Sequence, residues 1–288
     1  MLKKRVVATI IVNNGIAVQS INFSRYLPIG KPHIAIEFLN QWGIDEIILL
    51  DISATKNKSE PDYDMIKKVS LKCHVPLTIG GGITHIDHIK KLMHCGADKI
   101  SLNQSTIHKP ELITEAAKIF GDQCVVISLD GIKNGNSHLV YDYINKAPIQ
   151  ISPALRAKKL QELGAGEIFI NSVDRDGSYL GYDVELIHSV CNAVSVPVIC
   201  CGGARNALDF VKVLNETNVS AVCAANMFHF TEHSVNITKA IIKKHMNVRL
   251  ETHADYCDSA FDENYRLKKK EDQQLEEMLF VRIEKEVI

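Results

Sequence analysis

Gly80-Gly81-Gly82-Ile83 ends a short apolar run over 76–79, and Cys201-Gly202-Gly203-Ala204 ends another over 197–201, at an offset of 121 residues. Leu49-Leu50-Asp51 is echoed by Ser172-Val173-Asp174, and Ser101-Leu102-Asn103 by Ala224-Ala225-Asn226, each at an offset of 123. Three echoes at a nearly constant offset mark a duplicated half. Outward from these motifs, β-branched runs at 6–12, 46–51, 76–79, 99–102, 124–130, 167–171, 197–201 and 221–225 read as strands. Helical patterns lie between them near 32–42, 62–73, 85–94, 110–119, 153–163, 183–193, 205–215 and 233–245. Strands without polar alternation are what a parallel sheet covered on both faces requires. Eight such units predict a single α/β domain, a (β/α)8 TIM barrel of two half-barrel repeats, with an open doubly wound sheet as the alternative.

The turns Trp42-Gly43-Ile44-Asp45-Glu46, Cys95-Gly96-Ala97-Asp98-Lys99 and Leu163-Gly164-Ala165-Gly166-Glu167 each place Gly just past a helix. Gly there supplies a left-handed cap. The charged residue opening each following strand is expected at the N-terminal rim. Beyond 250 the chain becomes charged, and Leu267, Leu275, Met278, Leu279 and Val281 could form one apolar stripe. The expected organisation is a barrel over 1–252 and a helical extension over 253–288, packed on the barrel wall or frayed into solvent.

The 288 residues carry 33 Lys+Arg and 34 Asp+Glu, a net charge of -1 with 46% hydrophobic residues, which excludes disorder and argues against a nucleic-acid binder. No apolar run is long enough to span a membrane, and no cleavage site follows the run at 6–12. The eight cysteines lack zinc-like spacing and read as reduced thiols of a cytoplasmic protein. The twelve histidines form no ligand set, so neither a metal nor a cofactor is expected.

In a barrel, chemistry sits at the C-terminal strand ends. Gly81 with Gly82, and Gly202 with Gly203, form two candidate anion cradles there. Completed by Asn103 or Gln104 and by Asn226, the pair suits a small molecule phosphorylated at both ends. Asp51, Asp130, Asp174 and Asp176 fall at or just beyond strand ends. Asp130 closes an apolar strand facing the mouth, where burial can raise its pKa enough to move protons. Asp51 and Asp174 read equally well as loop caps. The duplication places Ile11 where the counterpart of Asp130 should stand.

These motifs, with Asp174-Arg175-Asp176-Gly177, Gly181-Tyr182-Asp183, Phe228-His229-Phe230 and Asn247-Val248-Arg249-Leu250, resemble the cyclase (synthase) subunit of imidazole glycerol phosphate synthase over about residues 1–252. The resemblance implies a barrel that takes ammonia from a glutaminase partner at its bottom. The ammonia reacts at the top with a bis-phosphorylated formimino ribotide, giving imidazole glycerol phosphate and an aminoimidazole carboxamide ribotide. It implies Asp130 as the strand-5 acid–base group. It also implies Asp51, Asp176, Gly177 and Ala225 as further substrate-binding positions. Arg5, Glu46, Lys99 and Glu167 match the family's ammonia gate, a charged ring expected at the starts of alternate strands. Asp98 matches the residue that reaches the glutaminase. The strand-1 aspartate is replaced by Ile11, and a lysine of the mouth by Gln19. In this the chain resembles a divergent branch that serves with an amidotransferase and a third enzyme in making acetamidino sugars for surface polysaccharide. A histidine-pathway cyclase and a non-catalytic activator of the glutaminase are the rival readings.

Overall fold

The computed structural model describes residues 3–231, 233–250 and 256–277. Its strands are β1 (Arg5–Asn13), β2 (Ile16–Ile21), β3 (Arg25–Gly30), β4 (Glu46–Asp51), β5 (Leu77–Gly80), β6 (Lys99–Leu102), β7 (Val125–Asn134), β8 (Ser137–Asp142), β9 (Ala147–Ile149), β10 (Glu167–Ser172), β11 (Val198–Cys201) and β12 (Ala221–Ala224). Eight of them pair in parallel in the order β1, β4, β5, β6, β7, β10, β11, β12, and β12 pairs again with β1 through Arg5↔Ala221. The chain is therefore a closed (β/α)8 barrel, with helices alternating with the strands. Gly43, Gly96 and Gly164 have φ of 74°, 99° and 111°, the left-handed conformation expected of them.

Two apolar shells explain why the strands lack polar alternation. Ile47 and Leu49 of β4 face the helix layer with Ile36, Leu39 and Ile66, while Ile48 faces the barrel interior with Val7, Val126, Phe169, Ile199 and Cys223. Both faces of the eight parallel strands are apolar through their middles, which is the condition for a parallel sheet.

The sequence did not disclose two β-meanders. β1 crosses the turn Asn14-Gly15 into β2 and β3, and β7 crosses Gly135-Asn136 into β8 and β9. Asn14 and Gly15 have φ of 50° and 76°, the left-handed pair of a two-residue hairpin. Both meanders follow the first strand of a half-barrel, so they obey the duplication.

The last barrel helix, Ser234–Lys243, ties itself to the first strands through a buried lysine. Lys239 Nζ donates to Asp45 Oδ1 at 2.6 Å and to the Gly43 carbonyl at 2.5 Å, and Asp45 Oδ2 accepts from Val6 N at 2.7 Å. Of the expected extension, Phe261 and Tyr265 pack against the main core, and 272–277 is helical. Met278, Leu279 and Val281 lie outside the described residues. Among the described residues no helix is long and apolar enough to cross a membrane.

Candidate active site

A cavity of about 490 Å³ opens at the C-terminal ends of the barrel strands. Its walls include Ile11, Leu50, Asp51, Gly81, Gly82, Asn103, Gln104, Asp130, Asp176 and Ala225, so the barrel brings together most of the expected substrate residues. Gly177, Gly202, Gly203 and Asn226 line a smaller adjoining cleft with Asp176 and Ala225.

Asp130 is only 5% exposed and accepts a 2.8 Å hydrogen bond from Asn103 Nδ2. Burial pushes its carboxyl up to about 7; Asn103 pulls it down, and nearby Asp176 adds to the rise. A carboxyl poised there can both accept and return a proton near neutral pH. The strand register identifies its counterpart. Asp130 stands opposite Asn171 of β10, and Ile11 stands opposite Leu50 of β4. Leu50 and Asn171 are each the fifth residue of strands that open with Glu46 and Glu167. Asn103 and Ala225 cap the short helices after β6 and β12 with similar backbone angles, so the expected pairing of Asn103 with Asn226 is one residue out. The hydrogen-bonded pair Asn103–Asp130 corresponds to Ala225 and Ile11 in the other half, which can neither hydrogen-bond through side chains nor transfer a proton.

The glycine pairs are demanded by the backbone itself. Gly81, Gly82, Gly202 and Gly203 have φ of 109°, 71°, 103° and 97°. A Cβ on Gly81 would lie 2.2 Å from the Asp51 carbonyl oxygen. Gly81→Ala is therefore expected to cost at least ~2 kcal/mol through strain and overlap, before any ligand is considered. Urea denaturation checks this, and an unchanged midpoint would remove the backbone argument.

The other candidates have local partners. Asp51 caps the helix Ile52–Lys56, accepting from Ser53 N at 2.9 Å and Ala54 N at 3.2 Å. Asp174 accepts from Lys133 N at 2.6 Å, a loop contact away from the cavity walls. Asp176 accepts from Ser20 Oγ at 2.6 Å and Phe23 N at 3.1 Å, and burial raises its carboxyl more than these bonds lower it. Gln104 and Asn226, expected to complete the cradles, are bonded to the meanders. Tyr143, Tyr26 and Phe23 also line the cavity and were not anticipated, because they lie on meanders the sequence reading passed over. The Asn14-Gly15 turn was the available signal.

At the opposite end, four charges form a closed ring. Arg5 bonds Glu46 at 2.6 Å and Glu167 at 2.5 Å; Lys99 bonds Glu46 at 2.9 Å and Glu167 at 2.8 Å. Burial lowers both cations, but the paired carboxylates outweigh it and hold them above their ordinary values. The expectation that all four residues open alternate strands is corrected. Glu46, Lys99 and Glu167 open β4, β6 and β10, which do alternate around the barrel, but Arg5 opens β1, the neighbour of β4. The fourth alternate strand, β12, opens with Ala221, and Arg5 is registered beside it. A layer of a barrel takes four side chains from alternate strands, and Arg5 reaches into the place Ala221 leaves. Asp98, exposed beside Lys99, accepts from Leu77 N at 2.8 Å, as Asp45 does from Val6 N.

A sequence profile of the family described as histidine biosynthesis protein matches residues 5–234. The chain belongs to that family. Within it, the chain is 42% identical over 257 residues to a Vibrio vulnificus protein named "Putative imidazole glycerol phosphate synthase subunit hisF2", covering 89% of this chain and 94% of that one. It is 40% identical over 253 residues to the imidazole glycerol phosphate synthase subunit HisF of Clostridium botulinum strain Okra, covering 87% of this chain and all of the relative. The histidine-biosynthesis match spans the barrel from Arg5 of the ring to the start of the last helix, and so includes both ends described above.

Proposed function

We propose that this chain is the synthase subunit of an ammonia-using complex of the imidazole glycerol phosphate synthase type. In this reading a glutaminase partner sits on the charged floor. Ammonia passes the ring of Arg5, Glu46, Lys99 and Glu167, rises through the barrel, and attacks a phosphorylated substrate held at the mouth by the two glycine pairs. Adding to an acceptor carbon doubly bonded to oxygen or nitrogen, neutral ammonia forms a C–N bond as the π pair moves onto that heteroatom; the nitrogen then loses a proton, which Asp130 accepts and can return to the heteroatom. The observation that carries the reading is the unequal pair of strand ends: Asp130 is buried and raised to about 7 on one half, and Ile11 stands at the matching register on the other. Cyclisation with two acid–base groups is not served by that mouth, whereas a one-base ammonia transfer is. We therefore assign the chain to amidino-sugar formation for surface polysaccharide. The bonded ring supports an ammonia route, and Asp130 argues against a pure activator, which needs no mouth chemistry.

A histidine-pathway cyclase is the second reading, favoured by the 40% identity to a HisF subunit along its whole length. One assay separates the two. Purified chain supplied with ammonium salt and the formimino ribotide should turn over roughly a hundredfold to ten-thousandfold below the Clostridium botulinum HisF subunit, the range set by deletion of one proton-transfer group. Equal turnover establishes the cyclase reading. Glutamate release by the same organism's glutaminase, with and without this chain, tests the partnership in the same preparation.

A further inference from the structure

The two amides assigned by sequence to the anion cradles each grip a meander. Asn226 Nδ2 donates to the Ser20 carbonyl at 2.6 Å, and its Oδ1 accepts from Ser20 N at 3.2 Å, so one side chain holds both backbone groups of a residue in β2. Gln104 Nε2 donates to Asp142 Oδ1 at 3.0 Å at the end of β8; that oxygen also accepts from Ile144 N at 2.9 Å and Asn145 N at 3.1 Å. The amide ends of the two links are equivalent, since Gln104 and Asn226 open the helices after β6 and β12. The meander ends are neighbours rather than equivalents, because the ladders put Asp142 level with Gln19, one residue before Ser20. Both amides, Ser20 and Asp142 are buried. A buried amide after β6 and another after β12 each grip the meander of the next barrel strand, so the bridge recurs in both halves although its meander ends differ.

A primary amide carries two N–H donors. Each of these amides spends one on its meander. Gln104 borders the main cavity with Gly82 and Asn103, and Asn226 borders the small cleft with Gly202 and Gly203. We infer that Asn226 and Gln104 are positioning residues that couple the two cradles to the two meanders: a phosphate seated in a cradle takes the second N–H, fixes the amide, and so fixes the meander above it. The β2–β3 meander brings Phe23 and Tyr26 to the cavity, and the segment after β8 brings Tyr143. Occupation of both cradles therefore sets the aromatic walls around Asp130. The inference rests on the reading of the glycine pairs as anion sites. By linkage, a meander held in place binds phosphate more tightly by the same factor.

The test is backbone hydrogen exchange with and without inorganic phosphate, with the phosphorus-31 linewidth as the separate measure of binding. Saturating phosphate should slow exchange at Ser20, Ile144 and Asn145 about fivefold, the worth of one ordinary hydrogen bond. Asn226→Ser keeps a hydroxyl donor at the cleft but cannot span both Ser20 groups; it should still bind phosphate yet lose the protection at Ser20 alone. Gln104→Thr should lose it at Ile144 and Asn145 alone. The barrel amides of Ile47 and Ile127 report whether each variant is folded. Phosphate bound by the unaltered chain with no change in exchange, or protection that survives in both variants, overturns the coupling and leaves the cradles standing. Absence of phosphate binding by the unaltered chain overturns both.

Discussion

Asp130→Asn is expected to stabilise the fold, by about 4 kcal/mol at pH 8. The folded chain holds the Asp130 proton up to about pH 7, against an ordinary value of 3.8. Well below the ordinary value of 3.8 the carboxyl is neutral in both folded and unfolded chains, and its ionisation costs nothing. Between about pH 4 and 7 the unfolded chain ionises freely while the folded one resists, so stability falls as pH rises. Above 7 the loss is complete and constant. Asparagine keeps the shape, keeps an acceptor for Asn103, and never ionises. Urea denaturation should therefore show a gain of roughly 1.5 kcal/mol at pH 5 and the full gain at pH 8. An equal gain at both values would mean that ionisation of Asp130 is not its source. A residue whose removal strengthens the fold is held for its chemistry.

Lys239→Ala should act in the opposite direction, lowering stability by about 3–5 kcal/mol. Asp45 is already pushed up by burial, with Lys239 as the chief opposing influence. Without the ammonium, the Asp45 carboxylate keeps Val6 N but loses its counter-charge in a dry site, and the lysine stem leaves a hole beside it. The deficit should shrink from pH 8 to pH 5, because an unpaired Asp45 can then take a proton. Asp45→Asn with Lys239→Met should recover most of the loss by removing the charge and refilling the volume. Chemical denaturation of these two variants beside the unaltered chain decides it; a loss under about 1 kcal/mol for Lys239→Ala would show that the pair is solvated in solution.

The barrel was legible because its signals are local and repeated. β4 and β6 fall at 46–51 and 99–102, as expected, since each opens with a charged residue shortly after a capping glycine. The meanders were not legible for equally local reasons. β3 is mostly exposed and contains Pro28, and β9 has only three residues, so neither shows an apolar run. That gap propagated into the site. Gln104 and Asn226 were recognised as polar residues near the glycine pairs, but the strands they also grip had not been seen, so only one side of their role was legible. In the ring, residue type was readable from sequence and layer was not. Only the register shows Arg5 standing in for Ala221.

The ring has a consequence for whatever approaches it along the barrel axis. Two positive and two negative charges alternate around that axis, each cation bonded to both anions. Such an arrangement has no net charge and almost no dipole; its lowest moment is a quadrupole, whose potential nearly vanishes on the axis itself. The floor therefore neither draws ions in nor drives them off at long range, unlike a pore lined with one sign of charge. An ion brought to the centre would meet chiefly the loss of its water, a large cost for a charge taken into a buried place. A small uncharged solute has little hydration to give up. On the proposed ammonia route, the barrel floor would sort by hydration rather than by sign.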